Sequence, residues 1–511
     1  MTFKVFRDSV FSACIISNYV RGAFMDKEYW SHKIKGALLG KTIGENLGRP
    51  YLGAHEPLEL TFYDPLPDPD SSSCFLDFQI LWLDELSKMP HPVPERNFFA
   101  QCWLDHIRYY DAEYGIALRN LRNSIMPPWS GNFDDYFSDN FGAARRADLW
   151  AFLNPAKPDT ALKITYEDSC VDHDKDGVFA AEFFAVLLSN AFIESNPDAL
   201  LNAALAAIPG ESRLAEAVRF TRELCAREND WKEARRQFLA KFDSENYEDG
   251  VMNTGFILLA YLLGNGDFEK TVLIAANCAR NTPVNAGMAG ELVGLLKPDS
   301  IPERWLAPVS EKIQLSDPEL VMDYPQTLDA FIEQILELAP RIEAHTPRSC
   351  DQPDFTPFLI PVQFGIHRNW NRWHEILPIP EYLHLDKEYT IPGTFNYLDA
   401  FEVPPNSLYM MRFQFTIDET KKVRVIFNCN ATSRVWVDGV YRFGRDGGWV
   451  TPSFDTVPHN QYCDITLEGG VHELLAGVAP VPAKPSETIL WVMGIADCAD
   501  SQWLPYAFFN N

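Results

Sequence analysis

The sequence predicts a multidomain chain, an N-terminal all-α helical bundle over residues 25–340 followed by a C-terminal all-β sandwich over 363–511. Three observations carry this. From about residue 28 to 340, apolar residues recur at helical spacing in segment after segment. Pro340, Pro347, Pro353, Pro357 and Pro361 then mark a connector over 341–362. Beyond it the period falls to two: Tyr409, Met411, Phe413, Phe415 and Ile417 alternate with Arg412, Gln414 and Thr416. Residues 1–24 read as an N-terminal extension.

In chain order, "HKIKGALLGKTIGENLG" comes first, with Gly36, Gly40, Gly44 and Gly48 four apart and so on one helix face. Glycine costs about 1 kcal/mol at each helical position. A stripe of four therefore implies that another backbone lies against it. "LDFQILWLDELSKM", "GVFAAEFFAVLLSNAFIE", "TGFILLAYLLG" and "NAGMAGELVGLL" are apolar nearly all round and read as buried helices. Asn196 before Pro197 and Asp267 after Gly266 read as helix caps. At "NCARNTPVNAG" one helix ends and another begins, with Asn281 or Thr282 as cap and Pro283 in the first turn. In the sandwich, Asp438-Gly439 between two alternating runs predicts a tight hairpin.

Composition removes several function classes. A net charge of −27 repels phosphate backbones, so no nucleic-acid partner is expected. No apolar run reaches the roughly 18 residues of a membrane span, so no membrane partner is expected. The ten cysteines include no CxxC pair, which argues against a zinc ribbon or redox dithiol. Their scatter suits buried thiols in a reducing, cytoplasmic compartment. The short apolar stretch Val10–Val20 leaves secretion open.

The segments "GALLGKTIGENLGRPYLG", "LDFQILWL", "YGIALRNLRNSIMPPWSG", "GAARRADLWAFLNPAKPDTALKITYEDSCVDHDKDGVFAAEFFAVLLSNAFIES" and "FILLAYLLGNGDFEKTVLIAANCARNTPVNAGMAGELVGLL" follow one another in an order and spacing that resemble the ADP-ribosylglycohydrolase family. The resemblance covers most of residues 33–300. It implies an orthogonal all-α bundle around a cleft, and hydrolysis at the anomeric carbon of ribose assisted by two magnesium ions. Magnesium wants oxygen ligands in near-octahedral array. The family supplies them from an acid after the glycine helix, an Asp-Asp pair before the next helix, and an Asp-Thr-Asp unit at a later helix start. This sequence departs at all three. The positions hold Leu52, Cys74-Phe75 and Asn281-Thr282-Pro283, with Met288 at a following threonine position. No cofactor is therefore expected. Magnesium remains only as an alternative, with displaced acids such as Asp68 or Asp70 as ligands.

Carboxylates without metal can still cleave glycosides when paired about 5–5.5 Å apart for retention or 6.5–9.5 Å for inversion. Asp77, Asp168 and Asp172 are the catalytic candidates, the latter two from "YEDSCVDHDKDG", whose "DH…G" loop the resemblance places at the cleft mouth. Glu45, His173, Trp129 of "MPPWSG", Asn281 and Thr282 are candidates for binding substrate. Each has a bland alternative as a cap, loop charge or packed corner. "DHDKDG" also fits half of a calcium loop, but position 12 is Phe183. Arg145-Arg146 reads as a surface pair, with binding of a phosphate or carboxylate as the alternative. Trp370, Trp373, Trp436 and Trp449 fall near loops of the sandwich, an arrangement similar to galactose-binding-like or jelly-roll accessory modules, which bind carbohydrate or brace a neighbour. The expected partner is a small-molecule sugar or ribosyl substrate; homo-oligomerisation is left open. Three functions follow: a metal-independent glycoside or N-glycosyl hydrolase, a catalytically inactive sugar- or nucleotide-binding member, and a magnesium-dependent ADP-ribosyl hydrolase using displaced acids.

Overall fold

The computed structural model describes residues 27–68, 76–108, 112–317, 320, 322–342, 355, 357–368, 383–397, 407–448, 450, 461–479, 489–500 and 502–504. The extension 1–24, Asp70, Cys74-Phe75, Trp370, Trp373 and Trp449 lie outside the described residues. Two compact units divide the chain: Met1–His106 with Ser138–Asp351, and Ile107–Phe137 with Gln352–Asn511. The first is helical and the second is built on antiparallel strands.

The helices run in the order α1 Lys27–Gly48, α2 Asp77–Ser87, α3 Arg96–His106, α4 Ala112–Arg122, α5 Trp129–Asn132, α6 Gly142–Arg146, α7 Asp148–Leu153, α8 Pro158–Ser169, α9 Lys175–Ala191, α10 Pro197–Ala206, α11 Arg213–Arg227, α12 Trp231–Phe242, α13 Gly250–Gly264, α14 Phe268–Asn277, α15 Thr282–Leu296, α16 Glu303–Leu306 and α17 Leu328–Leu338. All but α4 and α5 belong to the helical unit. Two of its starts carry the expected side-chain caps: Asn196 accepts from the Ala199 N–H at 3.0 Å and Asp267 from the Lys270 N–H at 2.8 Å. Helices α13 and α15 are buried on nearly every face. None of the described helices is long and apolar enough to cross a membrane.

The centre of this unit is the antiparallel crossing of α1 and α15. A Cβ on Gly40 would stand 2.1 Å from the Gly290 carbonyl oxygen, and one on Gly44 2.1 Å from that of Ala286. Gly36 and Gly48 meet Gly294 and Thr282-Pro283 in the same way. The glycine stripe exists because two backbones touch. Gly40→Ala is expected to cost about 1–3 kcal/mol through overpacking. The readout is a lower urea midpoint at unchanged slope; wild-type stability would show that the helices can part.

The second unit holds β1 Leu359–Arg368, β2 Lys387–Pro392, β3 Phe395–Tyr397, β4 Ser407–Ile417, β5 Lys421–Cys429, β6 Thr432–Val437, β7 Val440–Asp446, β8 Tyr462–Leu467, β9 Gly470–Ala479 and β10 Leu490–Asp497. They form a six-stranded sheet, β2-β1-β4-β9-β6-β7, and a four-stranded sheet, β3-β10-β5-β8. The alternating Tyr409, Met411, Phe413 and Phe415 share one core with Val423, Val425, Phe427, Trp491 and Met493. Asp438 and Gly439 both take positive φ, 50° and 75°, and turn β6 into β7.

Two features differ from the sequence reading. Strand β1 begins at Leu359, inside the stretch read as connector. Residues 107–137, read as part of the helical bundle, group with the strands. The reason is a buried anchor. Arg119 Nη1 donates to Asp134 at 2.7 Å, and Asp134 also accepts from the Thr394 N–H and hydroxyl, each at 2.8 Å. Ile125 and Phe133 complete the attachment by joining the sandwich core.

Candidate functional site

Helix α15 starts where the expected metal ligands would stand. Ala279 and Arg280 precede it with φ of 64° and 66°, left-handed values that non-glycine residues seldom adopt. The Gly53 N–H donates to the Arg280 carbonyl at 2.9 Å, and the Arg280 N–H to that of Ala54 at 2.8 Å. Thr282 Oγ donates to the Tyr51 carbonyl at 2.9 Å. The loop after the glycine helix is thus stitched to the start of α15. Pro283 sits in the first turn as expected, but Asn281 does not cap the helix. Its ψ of 64° departs from the extended geometry that folds a cap side chain back, and it makes no cap hydrogen bond. Thr282 does not cap either, because its hydroxyl is turned to Tyr51. Leu52 offers an apolar side chain, 52% exposed.

The "DH" segment lies deeper. Asp168 and Asp172, one turn apart at the end of α8, both grip Arg146. Arg146 Nε donates to the two Asp168 oxygens at 3.1 Å each, while Nη1 and Nη2 donate to Asp172 at 2.9 and 2.6 Å. Trp150 Nε1 donates to Asp168 at 2.9 Å. The rings of Phe78 and Trp103 flank the guanidinium at 5.2 and 6.0 Å. His173 Nδ1 lies 3.0 Å from Asp172, and its Nε2 accepts the Ala143 N–H at 3.3 Å. Burial pushes both carboxyls up. In Asp168 it prevails, whereas in Asp172 Arg146 and His173 outweigh it and hold the group at about 2. Arg146, read from sequence as half of a surface pair, is buried. The calcium reading also fails, since α9 begins at Lys175, inside the would-be loop.

A second buried cluster surrounds Lys41 on α1. Its ammonium donates to Asp148 at 2.5 Å and to the Arg145 carbonyl at 2.8 Å, and stands 3.6 Å from Glu291 of α15. Gln79 Nε2 donates to the other Asp148 oxygen at 3.0 Å. Burial works to lower the Lys41 proton affinity, but Asp148, Glu291 and Glu45 outweigh it. Glu291 is pushed well up by burial against the opposing pull of Lys41. Glu45, a sequence candidate, therefore belongs to a charge cluster in the interior.

Asp77 opens α2 and is bound by other partners. Burial raises its carboxyl, opposed by hydrogen bonds from the Ser316 hydroxyl and N–H and the Asp317 N–H, at 2.6 to 3.1 Å. It ties down the loop at 316–317. Trp129 belongs to the second unit, where it stacks on Phe355 with centroids 5.2 Å apart. Trp436 is buried beside Leu408, Met410 and Leu475, not at a loop tip. The structure thus gathers Asp168, Asp172 and His173 around Arg146, puts Glu45 beside Lys41, and places Asn281 and Thr282 against the 51–54 loop. The sequence reading missed Lys41, Glu291 and Arg280. The one signal for Lys41 was a lysine inside the glycine stripe of a helix meant for burial.

A binuclear magnesium centre would draw its ligands from side-chain oxygens at these positions. Hard cations require several uncommitted oxygen donors. The side chains of Leu52 and Pro283 carry no oxygen, while Asp168 and Asp172 are bound to Arg146, Asp148 to Lys41 and Asp77 to the 316–317 loop. Among the described residues, no three His, Cys, Asp or Glu side chains gather as a ligand set.

A family model described as ADP-ribosylglycohydrolase matches residues 26–344. Among solved structures, the chain is similar to an ADP-ribosylglycohydrolase-related protein complex at 19% identity, covering 62% of this chain and 99% of that one, with a TM-score of 0.43. A weaker likeness joins 26% of the chain to 15% of a GH31 α-xylosidase from Xanthomonas citri, at 14% identity and a TM-score of 0.14. No curated protein matches the chain.

Proposed function

The chain belongs to the ADP-ribosylglycohydrolase family, and from that premise we propose that its helical unit binds a sugar or ribosyl ligand at the α15 start without a binuclear magnesium centre. The observation that carries this reading is the Asn281-Thr282-Pro283 start. Its backbone is held by the 51–54 loop and its acidic ligands are replaced by neutral groups. A carboxamide and a hydroxyl suit the hydroxyls of a neutral ligand better than a divalent ion.

Hydrolysis is the second reading, favoured by one observation. Asp168 and Asp172 have proton affinities pushed apart by their surroundings, a pattern that separates an acid from a base in carboxylate pairs. Against it, both carboxyls are buried and held by Arg146.

Thermal unfolding with added ligands tests the proposal, because a ligand of the native state at a hundred times its Kd adds about 2.7 kcal/mol. The expected outcome is stabilisation by simple glycosides or ADP-ribose and no effect of millimolar magnesium. A large magnesium shift sinks the metal-free reading. Turnover of an aryl glycoside that vanishes in Asp172→Asn establishes the hydrolase instead.

A further inference from the structure

The first turn of α15 holds hydrogen-bonding atoms that the protein does not use. Asn281, 2% exposed, keeps its carboxamide off the helix cap. Asn285 lies four residues on, in the first turn of α15. It is wholly buried, and its Oδ1 has no hydrogen-bond partner; its Nδ2 makes a single 3.3 Å bond to the Ala279 carbonyl. Arg280, 7% exposed, binds His55 through Nη1 and Asp243 through Nη2, yet its buried Nε has no partner. Buried polar atoms are nearly always paired, so a set at neighbouring positions calls for an explanation.

The chemistry of these atoms selects among ligands. Arg280 Nε–H is a donor, Asn285 Oδ1 is an acceptor, and the Asn281 carboxamide is both. A carboxylate or a phosphodiester brings only acceptors and leaves Asn285 Oδ1 unmet. A divalent cation satisfies acceptors alone and is repelled by Arg280 and by the positive end of the helix. A hydroxyl group both donates and accepts. We propose that Arg280, Asn281 and Asn285 form a subsite for the hydroxyls of a neutral sugar, one hydroxyl donating to Asn285 while accepting from Arg280 or Asn281. The proposal rests on the sugar-binding reading above and specifies how the sugar is recognised.

The test uses the full chain and three probes: a panel of neutral methyl glycosides including methyl β-ribofuranoside, inorganic phosphate, and magnesium. Each is followed by thermal unfolding and titration calorimetry. A glycoside, and neither ion, is expected to bind. Asn281→Ala is expected to unfold at the wild-type temperature, since its carboxamide holds nothing in the protein, and to bind the glycoside at least tenfold more weakly. Asn285→Leu is expected to be at least as stable as wild type, because it removes an unmatched buried acceptor, and to lose binding. Three results overturn the subsite. One is glycoside binding unchanged in Asn281→Ala. Another is Asn285→Leu unfolding well below wild type, which makes Asn285 structural. The third is a response to phosphate alone. Glycoside binding that ignores both variants defeats the subsite and spares the broader reading, whereas no glycoside binding defeats both.

Discussion

Replacing Arg119 by alanine is expected to destabilise the sandwich unit by about 3–5 kcal/mol, the usual consequence of removing one partner from a buried ion pair. Arg119 and Asp134 are each 2% exposed, and Asp134 already receives both hydrogen bonds that Thr394 can give. Without the guanidinium, the Asp134 carboxylate stays buried and has lost its 2.7 Å cationic donor. Thr394 cannot compensate, because it supplies no positive charge. Urea unfolding followed by tryptophan fluorescence, with Trp491 buried in the sandwich core, reports the loss. The double variant Arg119→Met with Asp134→Leu removes both charges and is expected to recover much of it. If Arg119→Ala melts like wild type, residues 107–137 are not anchored as described.

Arg146→Met is expected to cost a similar 3–5 kcal/mol and to reverse the pH dependence that Asp172 contributes. In the wild type, Asp172 sits at about 2 against an ordinary value of 3.8. Its contribution, about 2 kcal/mol, is therefore present above pH ~4 and disappears as the pH falls through 2. Asp168 runs the other way: its raised group favours folding below the ordinary value and loses that contribution as the pH rises through the folded one. With Arg146 gone, burial dominates both carboxyls, and both are most stable when protonated. The variant should gain more stability than the wild type on acidification from neutrality to about pH 5, because Asp172 then joins Asp168 among the raised carboxyls. Unfolding midpoints across that range decide it, and parallel profiles would show that Arg146 does not govern these acids.

The fold was legible because its two halves carry different periodicities, and burial demands those patterns of any chain. The α1–α15 crossing was legible from one side, since four glycines at helical spacing have few other uses. Residues 107–137 were not legible as part of the sandwich. An amphipathic helix declares that it has a buried face but not which partner covers it. At the candidate site the acids were visible and their commitments were not. Asp168 and Asp172 show an obvious i, i+4 relation, but Arg146 is more than twenty residues upstream and reads like any surface arginine. The unmatched Oδ1 of Asn285 had no signature in sequence, because an asparagine in a helix is ordinary until its surroundings are known.

The sandwich unit is assembled from two stretches of chain separated by most of the helical unit. On a ribosome adding about 5–20 residues per second, Arg119 and Phe133 emerge on the order of ten to forty seconds before the strands that receive them. During that interval an arginine, an aspartate and several aromatic rings destined for an interior stand in solvent or in the grip of a chaperone. Nascent-chain proteolysis should find residues 107–137 cleavable until the last strands are released.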